Sequence, residues 1–82
     1  MKDTFDERIV ADPAVMVGKP IIKGTRITVE HILNVLGTGR SVEEVIQEYP
    51  RLTREDVLVA IQYARRIVED ERVFPLGAFQ YA

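Results

Sequence analysis

Between residues 41 and 56 the sequence contains two helix starts with a stop between them, and this constrains the fold more than any other feature. Ser41-Val42-Glu43-Glu44 is a capping box: the serine oxygen can accept from the Glu44 amide while the Glu44 carboxylate reaches back to the Ser41 amide. A stripe of Val42, Val45, Ile46 and Tyr49 follows at helical spacing, and Pro50 ends it because proline cannot continue a helix. Thr53 then caps a new helix with Asp56 in the box position, and Leu52 can staple onto Val57 across that cap. The link from Tyr49 to Leu52 is about four residues, the length that swings one helix across another in a helix-turn-helix unit.

A third helix precedes these two. Thr28 can cap it, Val29, Ile32, Leu33 and Leu36 form its apolar stripe, and Gly37 and Gly39 end it. The last helix is the longest, running to about Glu71 with Val57, Ala60, Ile61, Ala64 and Ile67 or Val68 as its buried side. Residues 1–27 show no helical period. Ile9-Val10 and Ile21-Ile22 read as two short strands joined by a loop from about Asp12 to Lys19, and Gly24 stands where the chain must turn. The expected fold is mostly α: a three-helix, homeodomain-like helix-turn-helix core over 28–71, preceded by a short β-ribbon over 1–27 and followed by an apolar tail over 72–82, all in a single domain.

Several chemistries are excluded by residue type. The 82-residue chain has no cysteine, so disulfides, thiolate metal sites and a cysteine nucleophile are out, and its one histidine, His31, has no further ligands spaced around it. The run GKPIIKGT at 18–25 has its lysine on the wrong side of Gly24 for a nucleotide-binding loop. The acidic pairs Glu43/Glu44 and Glu55/Asp56 sit in first helical turns, where the macrodipole favours negative charge. A binding protein with no metal or cofactor is therefore expected rather than an enzyme. No apolar run approaches the ~20 residues of a membrane span, and the charged start MKDTFDER is unlike a signal peptide, so the cytoplasm is the expected compartment.

Net charge is -2, which argues against nucleic-acid binding by bulk charge, but the charge is unevenly placed. Segments 13–42 and 51–66 are basic islands in an acidic frame. Lys23, Arg26, Arg51 and Arg54 are the candidate phosphate contacts, and Gln62, with Arg54, Leu58 and Arg65 on the outward face of the last helix, is a candidate base reader. Glu55 and Asp56 oppose this, since they stand at the helix end that would enter a groove first. Lys19, Lys23 and Arg26 equally suit an edge that discourages strand aggregation. Phe74, Leu76, Phe79 and Tyr81 crowd the tail and are candidate partner-binding anchors. A two-stranded ribbon cannot cover its own edges, so Ile9, Val10, Ile21 and Ile22 predict a homodimer.

The stretch GKPIIKGTRITV at 18–29, the break at Gly39-Arg40-Ser41 and the run EEVIQEYPRLTREDVLVAIQYA from Glu43 to Ala64 together resemble a small prokaryotic family, domain of unknown function 433. The resemblance covers residues 9 to about 68. It implies a homeodomain-like helix-turn-helix core and a role like that of antitoxins in type II toxin–antitoxin pairs, whose usual partner is a PIN-like nuclease, a metal-dependent RNase. Operator DNA is a further ligand that such a fold permits. The family pattern carries no catalytic residue to transfer. A protein-interaction or dimerisation module without a nucleic-acid role fits the same residues.

Overall fold

The computed structural model of the chain describes residues 3–70. Three short strands, β1 (Asp3–Phe5), β2 (Ile9–Ala11) and β3 (Ile21–Ile22), precede three helices, α1 (Val29–Gly37), α2 (Val42–Glu48) and α3 (Arg54–Asp70). The sheet is antiparallel in the order β1-β2-β3, with Phe5 opposite Ile9, Ile9 opposite Ile22 and Val10 opposite Ile21. A single 3-10 turn, Met16–Gly18, lies in the loop between β2 and β3.

Each helix begins where the caps place it. Thr28 Oγ1 accepts from the His31 amide at 3.0 Å. Both halves of the Ser41–Glu44 box are made, at 3.1 and 2.8 Å. Thr53 and Asp56 form a second reciprocal pair, at 3.1 and 3.0 Å. Gly39, with φ of 101°, takes the left-handed conformation that ends α1, and its amide donates to the Leu36 carbonyl.

The ribbon is larger than the sequence suggested. Strand β1 adds a third member, joined to β2 through Asp6 and Glu7, both at positive φ. Such a turn normally announces itself by Asn-Gly or Asp-Gly, and neither is present. The third strand and the helices also change what the ribbon needs. Ile9, Ile21 and Ile22 are buried within this one chain, and Val10 is half-buried. The burial that the homodimer expectation required of these residues is thus largely met within one chain, while β1 and β3 remain the outer strands of the sheet.

Ile9 and Ile22 join Val29, Ile32, Val45, Leu52, Val57 and Ala60 in one core. Leu52, in the α2–α3 turn, is the wedge that fixes the crossing of the two helices. Phe5 closes one side by meeting the Tyr63 ring edge-on, with centroids 5.4 Å apart. The apolar side expected for α3 is corrected in its second half: Ile61 is 37% exposed, Ile67 47% and Val68 71%. Helix α3 has 17 residues and α2 only 7, so α3 overhangs the helix it crosses and α2 cannot cover its far turns.

Candidate nucleic-acid and partner interfaces

The sequence-derived contact residues fall into two groups with different electrostatics. On one side, the chain from β3 doubles back tightly before α1. The Ile22 amide donates to the Ile27 carbonyl at 3.0 Å and the Thr25 amide to the Ile22 carbonyl at 2.9 Å. Thr25 Oγ1 donates to that same Ile22 carbonyl and accepts from the Ile27 amide. Gly24, at φ of 84°, makes the bend possible. Lys23 and Arg26 are thereby held exposed on one rigid turn.

Arg51 reaches this turn from the α2–α3 link, its Nη2 donating to the Gly24 carbonyl at 2.9 Å across 27 residues of sequence. Arg26 and Arg51 line a groove of about 530 Å³ with Val15, Ile21, Gly24 and Thr25. Three of the five candidate DNA contacts, Lys23, Arg26 and Arg51, are therefore brought together. Because the Arg51 bond goes to a neutral carbonyl, its charge is not cancelled.

The other two, Arg54 and Gln62, lie on the outward face of α3 and are already engaged. Arg54 pairs with Glu43 of α2, and Gln62 Oε1 accepts from Arg65 Nε at 3.0 Å while Arg65 Nη1 pairs with Glu69 at 2.9 Å. The Glu43 carboxyl is held below the ordinary glutamate range by a hydrogen bond from its own backbone and by Arg54. Lys19 does the same to Glu30 through a bond of 2.7 Å. Arg40 pairs with Glu48. Asp56 is only 8% exposed, and Arg8 Nη1 donates to it at 3.0 Å, so its charge is spent internally rather than facing a ligand. Only Glu55 of that acidic pair faces outward.

The exposed aliphatics form a second candidate surface, one that the sequence reading missed by assigning Ile61 and Ile67 or Val68 to the core. Leu58, Ile61 and Val68 share the outward side of α3. Ile67 borders an apolar groove of about 280 Å³ between α1 and α3, with Pro20, Val29, Leu33, Tyr63 and Ala64 among its walls. The tail anchors Phe74, Leu76, Phe79 and Tyr81 lie outside the described residues. His31 is exposed, its Nε2 2.8 Å from the Tyr49 hydroxyl, and no group of three metal-ligating side chains occurs among the described residues. No helix among them is long and apolar enough to cross a membrane.

Three helices on a small sheet, with a buried leucine in the short α2–α3 turn, define a small helix-turn-helix protein. The chain belongs to the family described as Protein of unknown function (DUF433), whose model matches residues 9–64. It is 31% identical over 58 residues to the uncharacterized protein y4eO of Sinorhizobium fredii; the match takes in 71% of this chain and 26% of that protein. It is 71% identical over 24 residues to an uncharacterized protein of Archaeoglobus fulgidus, covering 29% of this chain and 67% of that one. The chain thus spans about a quarter of the longer relative. No solved structure matches it.

Proposed function

We propose that this chain is an antitoxin-like binding protein of a type II toxin–antitoxin pair, which captures and neutralises a PIN-like RNase and docks on operator DNA. The observation that carries the reading is the row of exposed aliphatics on α3. A domain with so few core residues leaves Leu58, Ile61, Ile67 and Val68 in solvent along a single helix. Leu58, Ile61 and Val68 fall on one side of the helix, interspersed with Arg54 and Arg65, and Ile67 falls on the side toward α1; exposed aliphatics at this spacing suit cover by another chain. The anchors Phe74, Leu76, Phe79 and Tyr81 extend the same chemistry beyond the end of α3. A second copy of the chain is the other occupant of this face, as a homodimer. The interaction-module reading, with no nucleic-acid role, is favoured by Glu55 at the start of α3 and by the same apolar row.

The test is co-expression with the product of the adjacent gene. The expected result is a complex that survives purification and silences that product's RNase activity. Changing Leu58 and Ile61 together to Glu should abolish capture while leaving the helical signal intact, because both side chains are exposed. Deleting 73–82 should weaken capture with the core still folded. An adjacent gene product that neither binds nor cuts RNA refutes the toxin reading. A complex that forms without any DNA affinity selects the interaction module.

A further inference from the structure

The cations of this protein are sorted by the fold into cancelled and uncancelled sets. Arg8, Lys19, Arg40, Arg54 and Arg65 each meet a carboxylate, and Arg66 lies over the Phe5 ring. Among the described residues, Lys23, Arg26 and Arg51 meet no carboxylate, and they are gathered around one turn. In a chain of net charge -2, that turn gathers three cations with no carboxylate partner among the described residues, a local concentration of positive charge.

We infer that duplex DNA is gripped through its phosphate backbone at this turn, by Lys23, Arg26 and Arg51, and that α3 does not read bases. The inference rests on the operator-binding part of the proposed function. Arg51 uses one of its five N–H donors on the Gly24 carbonyl, which orients the guanidinium and leaves other donors for a phosphate. The turn is held by the two Thr25 side-chain bonds, so the charges are already in place before a ligand arrives. The groove that Arg26 and Arg51 line has Val15 and Ile21 in its walls and no aromatic ring. A single strand would want a stacking platform there, so the chemistry fits the edge of a duplex. Helix α3 is unsuited to the major groove, since its outward face carries Glu55 and exposed Leu58, Ile61 and Val68. Arg54 Nη1, Gln62 Oε1 and Arg65 Nε and Nη1 are already bonded within the protein, so a base contact there competes with these pairs.

Three phosphate contacts give a salt exponent of about -2.7, so affinity for a short duplex should fall on the order of 40-fold between 50 and 200 mM salt. Fluorescence anisotropy on the promoter fragment and on a scrambled duplex reads this directly, and the salt exponent should be the same on both, since the contacts counted are to phosphates. Changing Lys23 and Arg26 together to Ala leaves about one contact, which reduces the fall to roughly 3- to 4-fold. Neither side chain has a partner among the described residues, so the thermal melt should not move. Changing Gln62 and Arg65 to Ala should leave affinity and salt dependence as they were. If the salt dependence survives the Lys23/Arg26 pair, or if the Gln62/Arg65 pair abolishes a preference for the promoter fragment over the scrambled duplex, the inference is wrong, although operator binding stands. If the full chain binds neither duplex but still captures its toxin, the inference falls together with operator binding alone. Binding to single-stranded RNA in preference to either duplex also overturns it.

Discussion

Asp56 ties the N-terminal sheet to the start of α3, and its replacement by Ala should be among the costliest changes to any charged residue here. Its Oδ2 accepts from the Thr53 amide at 3.0 Å, completing the cap, and its Oδ1 accepts from Arg8 Nη1 at 3.0 Å. Loss of a capping acceptor costs about 1 kcal/mol. Loss of the charge at a helix N-terminus costs about 0.5 kcal/mol. The Arg8 pair adds about 1 kcal/mol; it lies above an exposed pair because Asp56 is nearly buried, and is discounted because the Arg8 side chain is 43% exposed and water recovers part of its solvation.

Asp56→Ala should therefore cost about 2–3 kcal/mol, or roughly 8–24 °C in Tm for a domain of this size. Asp56→Asn preserves the shape and an acceptor for Thr53 and should cost about 1 kcal/mol. Urea melts followed by circular dichroism measure both. A double-mutant cycle with Arg8→Ala should give a coupling of about 1 kcal/mol, since the two groups touch directly. The reasoning is refuted if Asp56→Ala costs less than about 0.5 kcal/mol, or if the Asn and Ala variants are indistinguishable.

Ile32, 1% exposed in the centre of the core, should cost about 2–5 kcal/mol when changed to Ala, and a smaller loss by urea denaturation would mean the helices close over the cavity. Gly24→Ala should cost about 1–2 kcal/mol from backbone strain alone, because an added Cβ meets no atom within 4 Å; a neutral effect on the urea midpoint would show that the left-handed turn is not kept. The Glu43 carboxyl titrates below its unfolded value, so its contribution is present above the ordinary glutamate range and is lost as pH falls through the lower folded value. Arg54→Ala should move the Glu43 titration upward, though not all the way, since the backbone hydrogen bond remains; NMR carboxyl titrations that show no movement would dissolve the pair.

The helix boundaries were legible in the sequence because each is set by groups within a few residues of one another. Thr28 meets the amide three residues on, Ser41 and Glu44 exchange bonds with each other, and so do Thr53 and Asp56. Gly24 and Gly39 mark their turns for the same local reason: only the residue's own Cβ decides whether positive φ is tolerated. What covers what is a different matter. The exposure of Ile61 and Val68 and the burial of Ile9, Ile21 and Ile22 depend on which helix overhangs which and on a third strand. That strand's turn at Asp6 and Glu7 uses left-handed residues that carry no sequence mark. The cancellation of charge is likewise tertiary. Arg8 finds Asp56 across 48 residues and Arg54 finds Glu43 across 11, while Arg51, among the described residues, finds a carbonyl and no carboxylate. Composition counts these cations alike, and only the folded chain decides which of them still presents its charge to a ligand.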